Sequence, residues 1–101
     1  MRFLSFLFGN NSNNIKDYLE KGAILLDVRT KQEFDSGAID NAIHIPVQEL
    51  STRFEEVKKL NKPVIAYCQS GMRSGRATNL LNSKGVDTIN GGGITSLFTQ
   101  L

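Results

Sequence analysis

The chain of 101 residues is 40% hydrophobic and carries a formal net charge of +2. A chain of this length has room for one domain with one core and is too short for two. Its Lys and Arg residues are spread along the sequence, which argues against nucleic acid as the main partner. The single cysteine, Cys68, cannot form an internal disulfide, and with one histidine the chain lacks the ligands of a zinc or iron–sulfur site. We therefore expect no metal and no cofactor.

The first 13 residues differ in composition from the rest of the chain. Residues 1–8 are mostly apolar and precede an asparagine-rich stretch. This apolar run is too short for a transmembrane helix or a signal peptide, so neither is expected. We interpret residues 1–8 as a segment that docks its phenylalanines on the domain or on a neighbouring subunit, with a membrane-surface contact as the alternative, and the residues that follow, up to residue 13, as an asparagine-rich linker. Residues 14–101 are then the domain, and its lone thiol favours a reducing, cytoplasmic setting.

The first elements predicted in chain order are a helix and a buried strand. Asn14 can cap a short helix that ends at Gly22. Three apolar residues of this helix share one face: Ile15, Tyr18 and Leu19. Residues 23–28 then form an almost continuous apolar run. A run of this length is typical of a strand that is buried on both faces, which indicates a parallel sheet.

Two short elements and a longer helix follow this strand. Thr30 and Glu33 have the spacing of a capping box, which predicts a short helix that ends near Gly37. Residues 42–45 predict a short strand. From Val47 onward, apolar residues recur at intervals of three and four, which predicts one amphipathic helix over this stretch. Its apolar positions are Val47, Leu50, Phe54, Val57 and Leu60.

The second half of the chain repeats the order of strand and helix. Residues 64–67 predict a second buried strand that runs directly into Cys68. A helix should begin near Ser74, with Ala77, Leu80 and Leu81 facing the core, and residues 86–89 predict a last strand. This alternation predicts an α/β domain with a mostly parallel central sheet, flanked by helices on both faces.

Cys68 lies at the junction of a strand and a helix, which is where ligands bind in open parallel sheets. Gly71 in the following turn can adopt a backbone conformation that other residues resist, so that successive amide N–H groups can point inward. Such a cradle, reinforced by a helix N-terminus, lowers the pKa of a thiol below about 8.5 and makes it a nucleophile. The predicted substrate-binding residues are Gln69, Ser70, Gly71, Met72, Arg73 and Ser74.

Charged residues around this loop are expected to support it. Arg73 offers planar donors to an incoming anion such as thiosulfate, and Arg76 lies one helical turn away and can assist. The alternative for both arginines is a solvated surface charge, and the alternative for Cys68 is an inert buried thiol. His44 is predicted to be structural, because a thiolate needs no base.

Three motifs in this sequence resemble the rhodanese family. Residues 68–74, with the pattern Cys-x-x-Gly-x-Arg-Ser after an apolar strand, look like the active-site loop of single-domain rhodaneses. Residues 26–46 are similar to the family's first signature, and Gly92 and Gly93 stand at the family's Gly-Gly pair. The resemblance covers about residues 14–97. It departs from the family pattern at Ala38, where a histidine is common, and at Leu97 or Phe98, where a tryptophan is frequent.

The resemblance implies a rhodanese-like fold and a sulfurtransferase in which Cys68 carries sulfane sulfur as a persulfide. Asp27 and Arg29 are implied to support the loop, with Arg29 paired to Glu33. The implied partners are a small anionic donor, thiosulfate or a persulfide, and a thiol, cyanide or protein acceptor.

Two other functions are weighed against sulfur transfer. The first is a binding module that keeps the fold without turnover. The second is a cysteine phosphatase, because the cell-cycle dual-specificity phosphatases share this fold. Their loops resemble Cys-x5-Arg, whereas only residues 69–72 separate Cys68 from Arg73. The loop is therefore one residue shorter than the phosphatase pattern.

Overall fold

The computed structural model describes residues 11–101, so the docking segment predicted for residues 1–8 lies outside the described residues. The strands are β1 (Ile24–Asp27), β2 (Ile43–His44), β3 (Val64–Cys68) and β4 (Thr88–Gly93). The helices are α1 (Asn11–Glu20), α2 (Lys31–Asp35), α3 (Leu50–Lys58), α4 (Met72–Ser83) and α5 (Ile94–Phe98). No helix within the described range has the length and apolarity needed to span a membrane.

The four strands form one parallel sheet in the order β2-β1-β3-β4. All five residues of the central strand β3 are buried. Successive strand side chains point to opposite faces, so alternate β3 residues pack in two clusters. One cluster joins the sheet to α3 and α4, and the other joins it to α1 and α5. The predicted α/β architecture, with helices on both faces, is confirmed.

Helix α1 begins earlier than predicted. It starts at Asn11, so Asn14 lies inside the helix and does not cap it. Several neighbouring asparagines can cap a helix equally well, so the sequence does not single one of them out. The predicted apolar face is confirmed, because Ile15 is buried and Tyr18 and Leu19 pack against the same cluster.

The predicted amphipathic helix is divided into two parts. A 3-10 turn over Val47–Glu49 precedes α3, in which Leu50 and Val57 are buried. Leu60, predicted to face the core, lies beyond the helix and is 38% exposed. The prediction for Leu60 is wrong because the chain turns away after α3, with a positive φ of 56° at Asn61.

The last strand β4 starts later than the predicted residues 86–89 and continues through the glycines. A Cβ on Gly91 would lie 2.7 Å from Ile65 Cγ2, and one on Gly93 would lie 2.6 Å from the Gln69 carbonyl oxygen. The backbone of β4 can therefore approach its neighbours only because these residues lack side chains. Glycine residues usually weaken a strand. In β4 they allow the end of the strand to lie next to the loop after β3.

Candidate active site

Cys68 is the last residue of β3, and it is fully buried. Its Sγ accepts a hydrogen bond from the Gly71 amide, with 3.0 Å between N and Sγ. The amide and the hydroxyl of Ser74 both lie 3.4 Å from the same sulfur. Three donors from two residues therefore converge on one thiol, which is the cradle that the loop sequence predicts.

The loop owes its shape to Gly71, which has a φ of 103° and stands directly before α4. A side chain is strained at this φ, and a Cβ here would also lie 3.4 Å from Gly92 Cα. Helix α4 begins at Met72, two residues before the predicted start at Ser74. Glycine allows the turn to close sooner, so the Ser74 amide falls in the first helical turn. Amides in this turn have no intrahelical acceptor and can therefore donate to the sulfur.

The pKa of the Cys68 thiol results from two opposing effects. Burial raises it, whereas hydrogen bonds from Ser74, Gly71 and the Ser70 amide lower it. The hydrogen bonds together outweigh burial, so the pKa lies below its ordinary value. The positive end of α4 acts in the same direction. The arrangement can therefore hold a thiolate, or another anion that replaces it, without a metal or a base.

The remaining loop residues lie away from the sulfur. Gln69 is exposed, and its side-chain oxygen accepts a hydrogen bond from Arg29 (3.2 Å). Met72 is 80% exposed. Of the six residues predicted to bind substrate, the structure brings Gly71 and Ser74 into hydrogen-bond contact with the sulfur. The side chains of Gln69 and Met72 lie at the rim of the loop.

Asp27 and Arg29 form a buried ion pair at the end of β1, with 2.7 Å between Nη2 and Oδ2. The guanidinium also donates to the Gly37 carbonyl (2.8 Å) and to Gln69. The implied pairing of Arg29 with Glu33 is wrong, because residues two apart in extended chain point to the same side and meet first. The pair braces the Cys68 loop through Gln69, which is the supporting position implied for both residues.

Glu33 pairs instead with Arg73. Its two carboxylate oxygens lie 2.8 and 3.1 Å from the terminal guanidinium nitrogens. Hydrogen bonds from Arg73 and then from the Thr30 amide lower the pKa of Glu33 from 4.5 to about 2. The predicted capping box of Thr30 and Glu33 is confirmed, since both of its hydrogen bonds are present. One carboxylate thus starts α2 and holds the loop arginine, so the Arg73 guanidinium already has a carboxylate partner.

Arg76 is exposed, and its side chain makes no hydrogen bond or ion pair with the side chains described for residues 14–101. It lies with Arg73 along a groove of about 360 Å³. The groove is lined by Val47, Gln48, Arg73, Arg76, Ala77 and Leu80. Two guanidinium groups and an aliphatic floor suit an anion that carries an apolar part.

His44 lies elsewhere, with Nε2 2.7 Å from the Arg29 carbonyl oxygen and its ring stacked on Phe34.

Sequence reasoning missed Asn90 on β4. Its side-chain amide lies between Ser74 Oγ (2.7 Å), the Gly71 carbonyl (3.0 Å) and the Gly92 amide (2.9 Å). Asn90 therefore contacts both residues that donate to Cys68. The available signal was a polar residue between an apolar strand and a run of glycines, where a side chain can reach the neighbouring loop.

Comparison with known proteins agrees with this geometry. Residues 12–96 match the family model of the rhodanese-like domain. The chain is 43% identical over 67 residues to the uncharacterized protein YqhL of Bacillus subtilis, covering 66% of this chain and 52% of the relative. It is 31% identical over 74 residues to the thiosulfate sulfurtransferase PspE of Escherichia coli, covering 71% of each. The chain therefore belongs to the rhodanese-like domain family.

A solved structure supports the same fold. The rhodanese-related protein of Thermoplasma volcanium superposes with a TM-score of 0.74 at 28% identity, covering 88% of each chain. The chain spans between 52% and 63% of the length of four curated relatives that it matches.

Proposed function

We propose that this chain is a sulfurtransferase that moves sulfane sulfur from a donor such as thiosulfate to a thiophilic acceptor through a persulfide on Cys68. The observation that carries the proposal is the convergence of Gly71 and Ser74 donors on the sulfur. Relatives that carry the name sulfurtransferase, among them PspE, support the same activity.

In the first half-reaction, the Cys68 thiolate attacks the outer sulfur of thiosulfate. A bond forms between Sγ and that sulfur while the S–S bond of thiosulfate breaks, and its electron pair leaves with sulfite. The negative charge moves from Sγ to the outer sulfur of the persulfide. We expect the amides of Gly71 and Ser74, which meet on Cys68 Sγ, to lie close enough to the outer sulfur to stabilise its charge as well.

In the second half-reaction, cyanide or an acceptor thiolate attacks the outer sulfur. The persulfide bond breaks, its electron pair returns to Cys68 Sγ, and the acceptor leaves as thiocyanate or as a new persulfide. The cradle is then again occupied by a thiolate. Neither half-reaction requires a proton, a metal or an external oxidant, so a single buried thiol with fixed donors is sufficient.

We propose that anionic donors and acceptors approach the loop from the side of Arg73 and Arg76. Arg73 belongs to the Cys68 loop and also lines the groove, so it joins the two. A substrate anion can share the Arg73 guanidinium with Glu33 or displace it. Arg76 is exposed at the same groove and adds long-range attraction for an anion.

Intact-mass measurement tests the proposal. The wild-type protein incubated with thiosulfate should gain the mass of one sulfur atom, and cyanide should remove it with release of thiocyanate. Cys68→Ser should abolish both the mass gain and turnover, because a hydroxyl is not ionised here and does not accept sulfane sulfur. A wild-type protein alkylated at Cys68 beforehand is the matched control and should behave in the same way.

Two results would contradict the proposal. Turnover that survives in Cys68→Ser would exclude a persulfide mechanism. A wild-type protein that loads no sulfur but hydrolyses an aryl phosphate in a Cys68-dependent way would be a phosphatase. We expect no such hydrolysis, since a phosphoryl group needs donors for three oxygens and the loop between Cys68 and Arg73 is one residue short of the phosphatase pattern.

A further inference from the structure

The side-chain amide of Asn90 contacts both residues that donate to the Cys68 sulfur. Its Nδ2 donates to the Gly71 carbonyl (3.0 Å), and its Oδ1 accepts from the Ser74 hydroxyl (2.7 Å). Oδ1 also accepts from the Gly92 amide (2.9 Å). The amide lies on β4, outside the Cys68 loop in sequence, and it joins that loop to the edge of the sheet.

The orientation of this amide follows from its neighbours. The Gly92 N–H can only donate, so it must face the oxygen of Asn90. The Gly71 carbonyl can only accept, so it must face the nitrogen. Oxygen and nitrogen therefore cannot be exchanged, and Ser74 Oγ faces an atom that only accepts hydrogen bonds.

The Ser74 hydroxyl has one proton and two acceptors within reach. Asn90 Oδ1 lies 2.7 Å from Ser74 Oγ, and Cys68 Sγ lies 3.4 Å from it. A hydroxyl can donate to only one acceptor at full strength. Asn90 Oδ1 and Cys68 Sγ therefore compete as acceptors for the one hydrogen bond that the Ser74 hydroxyl donates. The charge on Sγ decides which of them accepts it.

We propose that Asn90 is a positioning residue whose Oδ1 accepts the hydrogen bond of the Ser74 hydroxyl whenever Cys68 Sγ carries no negative charge. When Sγ is a thiolate, the hydroxyl turns to the sulfur. When sulfur is loaded and the charge lies on the outer sulfur, the hydroxyl returns to Asn90, so that no buried polar group loses its partner. The second state rests on the proposed function, whereas the competition itself does not.

This competition changes the relative free energies of the thiol, thiolate and persulfide states of Cys68. Asn90 holds the hydroxyl in the thiol and persulfide states and so stabilises both relative to the thiolate. Without Asn90, the hydroxyl has only the sulfur as its partner and should stabilise the thiolate more strongly. The acceptor at position 90 thereby shifts the equilibrium from the thiolate toward the loaded state.

The charged groups around the thiol do not take part in this exchange. They lie on α4, on α2 and at the end of β1, and none of them forms a hydrogen bond with the side chain of Ser74 or Asn90 among the described residues. They are Arg73, Glu33, Asp27 and Arg29. Their effect on Cys68 should be the same in every variant below.

A double-mutant cycle with four proteins tests the proposal: wild type, Ser74→Ala, Asn90→Leu and the double variant. The pKa of Cys68 is measured from the pH dependence of its alkylation rate. Ser74→Ala should raise the pKa of Cys68 in both backgrounds. The factor by which it lowers the acid dissociation constant of Cys68 should be roughly threefold larger in the Asn90→Leu background than with Asn90 in place. Loss of the Gly71 anchor is common to both Asn90→Leu proteins and cancels.

Equal changes in both backgrounds, or a smaller change in Asn90→Leu, would overturn the proposal, because the hydroxyl would then not be shared. Asn79→Leu, on the exposed side of α4, is the matched control and should show no coupling to Ser74→Ala. Asn90→Ala replaces Asn90→Leu if thermal unfolding shows that the larger side chain disturbs the fold.

Sulfite titration of the loaded protein gives a second readout. Asn90→Leu should shift the equilibrium from persulfide toward thiolate and thiosulfate, and Ser74→Ala should remove that shift. A shift that persists in the double variant would contradict the role of the hydroxyl. Alkylation needs no sulfur donor, so a protein that fails to load sulfur refutes the proposed function while the alkylation cycle still decides on Asn90.

Discussion

Two arginine–carboxylate pairs flank the Cys68 loop with similar geometry and different burial. The closest distances are 2.7 Å in Arg29–Asp27 and 2.8 Å in Arg73–Glu33. The side chains of the first pair are 3% and 0% exposed, and those of the second are 27% and 32% exposed. A buried charge without its partner is strongly destabilising, whereas a part-exposed charge can take water or another anion instead. The same chemistry therefore serves as a brace in one pair and as an exchangeable contact in the other.

The neighbours of the two arginines support this difference. Arg29 also donates to the Gly37 carbonyl and to Gln69, so its guanidinium is fixed from three directions. Arg73 has Glu33 as its hydrogen-bond partner and lies along the groove beside the loop. We infer that Arg29 maintains the fold around the sulfur and that Arg73 meets the substrate.

Arg29→Ala should have the largest effect on stability. It leaves the fully buried Asp27 carboxylate without its partner, which costs roughly 3–5 kcal/mol of unfolding free energy. Denaturant unfolding measures the loss. Arg53→Ala is the matched control, because Arg53 pairs with Glu49 and Glu56 on the surface and its loss should hardly change the unfolding free energy. Similar losses in the two variants would mean that burial does not distinguish these pairs.

Arg73→Ala should affect activity far more than stability. Loss of a charge-assisted contact of roughly 1.5–3 kcal/mol should lower kcat/KM for thiosulfate about ten- to a hundredfold. The unfolding free energy should change by less than about 1 kcal/mol. A neutral donor should be affected less, and steady-state kinetics with both donors measures the difference. Equal losses for both donors would indicate that Arg73 shapes the loop and does not bind the anion.

Glu33→Gln should have a smaller effect in the opposite direction. Glutamine keeps the capping box with Thr30 but removes the negative charge that competes with substrate for Arg73. KM for thiosulfate should fall by about two- to fivefold, which corresponds to the energy of an exposed ion pair. An unchanged or higher KM would show that Glu33 orients Arg73 for the substrate.

The pH dependence of stability should show the smallest effect. The pKa of Glu33 is lowered from 4.5 to about 2 in the folded protein, so the folded state favours the carboxylate. Its contribution is therefore fully present above pH 4.5 and is lost as the pH falls toward 2. The difference in unfolding free energy between the wild type and Glu33→Gln should shrink over this range. A difference that stays constant would mean that the ion pair does not stabilise the folded protein.

The Cys68 cradle could be predicted because it is local. Its donors, Gly71 and Ser74, lie within six residues of the cysteine, and a strand followed by a glycine turn and a helix brings them back to the sulfur. The partner of Arg73 and the contact of Asn90 with the loop could not be predicted in this way. Glu33 and Arg73 are 40 residues apart, and Asn90 lies 16 residues beyond Ser74.

From the amino-acid sequence alone it was possible to predict the order of strands and helices, the capping box at Thr30 and the place of the Cys68 thiol where a strand meets a helix. These features depend on hydrogen bonds and apolar contacts between residues that are close along the chain. The tertiary structure decided that Glu33 meets Arg73, and it placed Asn90 against the loop. Those contacts depend on the strand order, with β3 between β1 and β4, and on the close approach of a glycine-rich β4. Burial then separates a structural pair from an exchangeable one, and burial is a property of the packed domain.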